Sequence, residues 1–146
     1  MIYPTILVAT DMSDPAASAA RHAAALVRAV GSRLVVVYVV EDRVPPPLAQ
    51  SSHLDRVLQE HRRKADAALA MWCEEELEGL DVERVVCEGT PHVCILDTAR
   101  AKQADLIVVG MRGHNYLTHV LVGSTAERVL HGAPCPVLVV GHDHRD

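Results

Sequence analysis

Leu106-Ile107-Val108-Val109-Gly110-Met111-Arg112-Gly113, nine further residues, and then Gly123-Ser124-Thr125-Ala126-Glu127 spell a strand, a glycine loop and a helix start in that order. The apolar run lacks polar alternation, as a strand covered on both faces of a parallel sheet should. Ser124 to Glu127 has the capping-box form that opens a helix, and Gly132 and Pro134 stop it. A strand that feeds a helix in this way is half of a βα unit, so the rest of the chain should show the same alternation.

Thr5 to Thr10, Leu34 to Val40, Val82 to Glu88 and Val137 to Val140 are the other strand-like runs, and longer helix-like segments separate them. The predicted class is α/β, with one domain over residues 1–146. Val82 to Glu88 mixes charged with apolar residues, which places it at a sheet edge. Ser13-Asp14-Pro15 reads as a helix cap with proline in the first turn, and Gly31 closes that Ala-rich helix. Pro45-Pro46-Pro47 marks a loop. Ser51 or Ser52 then caps a long helix ending near Gly79, with Leu54, Val57, Leu58, Ala65, Ala68 and Leu69 on its core side. Thr90-Pro91 opens a third helix that runs to about Ala101. The charged runs His61 to Lys64 and Glu74 to Glu76 read as solvated helix face.

With 146 residues, 49% of them hydrophobic, the chain can bury roughly 70% of its unfolded surface and needs no disulfide or metal to hold a core. Its 14 Lys and Arg against 19 Asp and Glu, with no Phe and one Trp, supply neither a basic footprint nor base-stacking platforms, so nucleic acid is excluded as the expected partner. No secretory or membrane-spanning pattern is seen, and the expected location is the cytoplasm. Cys73, Cys87, Cys94 and Cys135 form no C-x-x-C pair and are expected to be thiols in a reducing compartment.

The chemistry lies in the loop after the fourth strand, whose form is G-x2-G-x9-G-[ST]. Three fixed glycines and one hydroxyl arise by chance in roughly 0.5% of chains this long, so the pattern carries information. Gly110 and Gly113 give a backbone that can turn with positive φ and let a ligand approach without a Cβ in the way. Gly123 feeds Ser124 and Thr125 into a helix N-terminus, where unpaired N–H groups and the helix dipole favour phosphate. In open α/β sheets ligands sit beyond the carboxyl ends of strands where the winding reverses. The first strand ends nearby with Thr10-Asp11, and Asp11 suits either a ribose hydroxyl or a phosphate-bound metal. Val39, ending the second strand, offers an apolar wall to a base. The same residues also admit a structural reading, with Ser124 a cap, the glycines turns and Asp11 a solvated loop residue.

The chain resembles the universal stress protein family over nearly its whole length. The residues that carry the likeness are the Ile-Leu-Val-Ala-Thr-Asp opening, Gly89-Thr90-Pro91, Ala104 to Gly110, the glycine motif, and Pro134 to Val140. The resemblance implies a five-stranded, Rossmann-like parallel sheet in the order 3-2-1-4-5 with helices on both faces, and a homodimer. It further implies ATP binding by members that keep this glycine motif; ADP and AMP stand as alternatives, and Mg²⁺ is expected with the phosphates from the metal reading of Asp11. Carried over residue by residue, Asp11 matches the acid near the ribose and Val39 the residue beside the adenine, with Thr10 facing base or sugar. Gly110 and Gly113 match the loop at the phosphates, with Val109 preceding it, and Gly123, Ser124 and Thr125 match the triphosphate turn. Arg112 stands where a small residue or His is frequent, and Thr125 where an aliphatic is frequent. Arg112 suits either charge-assisted bonds to phosphate or a solvated position pointing to water.

Val137, Leu138, Val139 and Val140 form a short, apolar, terminal strand that either a second copy, by antiparallel pairing, or a terminal segment or neighbouring helix would cover, and the homodimer is the expected arrangement. His114, His119 and the His142-Asp143-His144 tail lack a third fixed ligand and give no metal site. His92 and His131 read as helix-end residues. No G-x4-G-K-[ST] loop or nucleophile elbow is present, so dedicated catalysis is not expected. Three functions follow: an ATP-binding signalling module; a slow ATP hydrolase or self-phosphorylating protein; and a dimeric interaction protein whose glycine loop is structural.

Overall fold

Runs of Val, Ile and Leu that lack alternation demand cover on both faces, and a computed structural model describing residues 2–40, 52–111 and 122–141 provides it. Strands β1 (Thr5–Thr10), β2 (Arg33–Val40), β3 (Val82–Glu88), β4 (Leu106–Gly110) and β5 (Val137–Val140) alternate with helices α1 (Asp14–Val30), α2 (Ser52–Glu76), α3 (Pro91–Ala101) and α4 (Ser124–Gly132). The strands are parallel and ordered β3-β2-β1-β4-β5. Strand bounds follow the expected runs except that β2 begins one residue earlier, at Arg33, whose N–H donates to the Pro4 carbonyl at 2.8 Å.

Period-2 alternation divides β1, β2 and β4 between two cores. Ile6, Val8, Leu34, Val36, Leu106 and Val108 face α1 and α2. Leu7, Ala9, Val35, Val37, Ile107 and Val109 face α3 and α4. Burying each such Val, Leu or Ile is worth about 1.5–3 kcal/mol. On the first face α1 presents Ala16, Ala17, Ala19, Ala20, Ala23 and Ala24, all buried, and these small side chains let the helix lie close to the sheet. Its ends are closed locally. Ser13 Oγ accepts from Ala16 N at 3.4 Å, and Gly31, at φ 77°, donates to the Val27 carbonyl.

The core seam of α2 is displaced from the expected one. Leu69, Trp72, Cys73 and Leu77 are buried at helical spacing, whereas Val57, Leu58 and Ala65 are half-buried and Ala68 is exposed. Ala68 sits one position off the seam, a 100° rotation that turns it to water. The expectations for Pro45 to Pro47, Ser51 and the Leu54 side chain lie outside the described residues.

β3 is an edge, and none of its residues is fully buried. The cysteine expectation needs correction: Cys87 and Cys94 are joined as a disulfide, with Cα atoms 6.1 Å apart, while Cys73 and Cys135 are free. The pair spans the Gly89-Thr90-Pro91 turn, which brings the end of β3 and the first turn of α3 together. Sequence spacing alone does not display that approach.

Candidate functional site

β1 lies at the centre of the sheet with β2 on one side and β4 on the other, so the winding reverses beside it. Thr10 and Asp11 leave its carboxyl end through a tight turn. Thr10 is buried and its Oγ1 accepts from Met12 N at 2.9 Å, while Met12 takes the left-handed conformation at φ 64°. Asp11 Oδ1 accepts from Ser13 N at 3.0 Å and from Ser13 Oγ. The half-buried Asp11 therefore organises the β1–α1 turn as well as standing at the cleft. The Asp-x-Ser spacing, an Asx-turn signal, could have revealed that second role.

Gly110 departs from the backbone expectation, whereas Gly123 leads Ser124 and Thr125 into a helix as expected. Gly110 does not adopt positive φ. Instead, a Cβ on it would lie 2.9 Å from the Pro15 carbonyl oxygen and 3.2 Å from Pro15 Cβ. Its bareness lets the first turn of α1 dock on the end of β4. Gly123 is likewise ordinary in backbone, at φ −66° and ψ 157°, and it is the N-cap of α4. Ser124 is consequently the first helical residue and no capping box forms: α4 has no side-chain cap bond.

Gly123 positions α4 through its backbone. Its N–H donates to the Met111 carbonyl at 2.7 Å, and Met111 N donates to the Val140 carbonyl at 2.8 Å. The chain thus leaves β4 at Met111 and returns to the same point at Gly123. The N-terminus of α4 is thereby delivered to the carboxyl ends of β4 and β5. Gly123 O accepts from Glu127 N at 3.0 Å, the first bond of the helix. In such a geometry the N–H groups of Ser124, Thr125 and Ala126 have no acceptor within the helix and form an anion-favouring end. Ser124 is exposed and Thr125 half-buried.

The structure brings Thr10, Asp11, Gly110, Gly123, Ser124 and Thr125 to one rim of the sheet. Val39 lies on that rim too, half-buried, beside Cys87 of β3 in register. Val109 directs its side chain into the core under α3 and α4, leaving only its backbone for the loop. Arg112 and Gly113 lie outside the described residues, as do His114, His119, His142 and His144. Among the described residues no three His, Cys, Asp or Glu side chains group as metal ligands, and no helix is long and apolar enough to cross a membrane.

A family model described as the universal stress protein family matches residues 2–141. The chain belongs to that family. A universal stress protein of Methanocaldococcus jannaschii is 36% identical over 95% of this chain and 82% of its own length. The solved universal stress protein UspA from Lactobacillus plantarum is 31% identical and superposes with a TM-score of 0.77, over 96% of this chain and 99% of its own. A universal stress protein from Archaeoglobus fulgidus, solved in complex with dAMP, is 27% identical with a TM-score of 0.62, over 95% of this chain and 98% of its own. The sheet order described above is thus a universal stress protein architecture, and its rim is where ligand chemistry should be sought.

Proposed function

We propose that this universal stress protein is an ATP-binding signalling module of the cytoplasm, with ADP and AMP as alternative ligands, that works as a homodimer through β5. One observation carries the reading: Gly123 returns to Met111 and so sets the N-terminus of α4 beside the ends of β4 and β1. Triphosphate would lie on the N–H groups of Ser124 and Thr125, ribose near Asp11, and the base along Val39 with Thr10 at its edge. The relative solved with dAMP supports an adenine nucleotide as the ligand class. Mg²⁺ fits this donor set. It usually takes one or two carboxylates, phosphates and water, and Asp11 supplies one carboxylate at the rim. Bound there, the ion would offset phosphate charge, while Asp11 orients it and the α4 N–H groups hold the phosphate oxygens. Among the described residues of this set there is no lysine to act on the phosphates, and the Asp11 carboxylate is engaged by the Ser13 N–H and hydroxyl and assigned to ribose and Mg²⁺, so binding rather than turnover is the proposed activity.

Freshly purified protein should release adenine nucleotide at near one per chain on denaturation, read by chromatography, or bind ATP with Mg²⁺ saturably at millimolar concentrations or below. Gly123→Val is the informative control. Valine fits the extended backbone at that position, so the chain should fold, but the branched side chain crowds the α4 N–H groups and should weaken binding at least tenfold. A flat ATP titration of the wild type, or unaltered binding by the variant, would remove the reading.

A further inference from the structure

Among the described residues at this rim, the Cys87–Cys94 pair is a feature that nucleotide binding leaves unexplained. Its Cα separation of 6.1 Å falls within the range that a disulfide spans. The Glu88 carbonyl lies 3.5 Å from Cys94 Sγ and 4.0 Å from Cys87 Sγ, so the two sulfurs flank one backbone acceptor. The turn between them is narrowly defined. Gly89 sits at φ 134°, a conformation that side-chain-bearing residues rarely adopt, and its N–H donates to the Val40 carbonyl at 3.0 Å. Cys87 itself stands opposite Val39 in the β2–β3 register. Whatever fixes or loosens this turn therefore acts on the last two residues of β2, where the base is proposed to lie.

We propose that Cys87 and Cys94 form a reversible thiol–disulfide switch that tightens the nucleotide site when oxidised and loosens it when reduced, a proposal that rests on the nucleotide reading above. Disulfides that form in reducing compartments are usually transient or sensing ones, which matches the expected cytoplasmic location. Low-molecular-weight thiols and their disulfides are the co-reactants. In oxidation the half-buried Cys87 attacks as thiolate on a small disulfide and expels one small thiolate, which takes up a proton. The buried Cys94, deprotonated in turn, attacks Cys87 Sγ and expels the second small thiol. Two electrons pass from the protein pair to the small disulfide. Reduction is the reverse exchange. The other two thiols are poor competitors: burial pushes Cys73 up to about 11, and burial together with the neighbouring Asp105 raises Cys135, so both are thiol rather than thiolate at neutral pH.

The test equilibrates the full chain in glutathione buffers from reducing to oxidising, counts free thiols by alkylation and mass spectrometry, and titrates each form with ATP and Mg²⁺. Two of the four thiols should disappear on oxidation, mapping to Cys87 and Cys94. ATP should bind the oxidised form about fivefold or more tightly, within the usual span of coupling between sites. By linkage, saturating ATP should then lower the midpoint potential of the pair by about 20 mV. Cys87→Ser should bind like the reduced wild type whatever the buffer. Equal affinity of the two forms overturns the switch and leaves the nucleotide reading standing. Absence of ATP binding in both forms overturns that reading and the switch with it. A pair that stays alkylatable under every oxidising buffer overturns the switch directly, without reference to ATP.

Discussion

β3 and β5 are the two edges of one sheet, and each has a single strand neighbour, yet they present opposite surfaces. On β3, Glu83 receives Lys102 Nζ at 2.6 Å and the Arg33 guanidinium, Arg84 lies 3.6 Å from Asp66, and Glu88 lies 3.4 Å from Arg62. β5 carries no charge at all in Val137-Leu138-Val139-Val140, and Leu138 is 37% exposed. Exposed ion pairs are each worth only about 0–1 kcal/mol, so the charges on β3 do little to hold it in place. Their consequence is negative: a strand fringed with solvated charge is a poor template for another strand. In the proposed dimer, this contrast makes β5 and not β3 the edge that would receive the second copy.

Proline scanning should separate the two edges most sharply. The carbonyls of Pro136 and Val140 accept from Ile107 and Met111 of the β4 side. By strand alternation, the backbone groups of Val137 and Val139 face outward. Val139→Pro therefore removes an outward donor and spares the bonds to β4. In the proposed dimer it should weaken association at least a hundredfold, so that sedimentation gives 15.9 kDa where the wild type gives twice that mass. On the other edge Gly89 N–H faces β2 and bonds Val40, so Arg84 faces outward. Arg84→Pro should leave the mass unchanged. A wild type that is monomeric, or a Val139→Pro variant that still dimerises, breaks the contrast.

A second difference is how glycine serves each side. Beside β5, at the end of β4, Gly110→Ala would press a methyl group to 2.9 Å from a backbone carbonyl oxygen and 3.0 Å from its carbon. Neither atom can swing away as a side chain would, so a loss of about 1–3 kcal/mol is expected, read from urea midpoints. Beside β3, a Cβ on Gly89 would meet, among the described residues, only Cys94 Sγ, at 3.6 Å, which is ordinary contact. Gly89→Ala should cost about 1–2 kcal/mol through backbone conformation alone. Replacing Pro15 by Ala beside Gly110→Ala tests the steric origin: because the clash is with the main chain, little stability should return.

These contrasts also show what could be read in the chain beforehand. The five strands were legible because uninterrupted apolar runs such as Ile6 to Ala9 have few alternatives, and β3 announced itself as an edge by its Glu and Arg. Asp11, Val39, Gly110, Gly123, Ser124 and Thr125 were legible as neighbours on one rim because the βα alternation puts strand ends there. Less visible was what depends on approach between distant elements. Gly110 looked like a residue freed for φ, but α1 packs against it. Ser124 looked like a cap, but the bond from Gly123 to Met111 moves the helix start by one residue. Cys87 and Cys94 looked unrelated because the turn at Gly89 is defined by its backbone, and no residue spacing displays a backbone angle.

The smallest expected effect concerns the charge on β3 and carries its own pH signature. Bonds from Lys102 first, then Arg33, hold the Glu83 carboxyl below its ordinary value of 4.5. A group whose folded value is depressed stabilises the fold above its unfolded value, and that contribution fades as pH falls through the folded one. Glu83→Gln should thus cost about 0.2–1 kcal/mol at pH 7. The gap in thermal midpoint between wild type and variant should close as the pH drops below 4.5, and should also shrink in high salt. A gap that stays constant with pH would mean that Glu83 acts through packing and not charge, and the argument that β3 is kept apart by electrostatics would lose its support. Leu138→Ala on β5 offers the matching control: lacking any titrating partner on its own strand, it should change stability by the same amount at either pH.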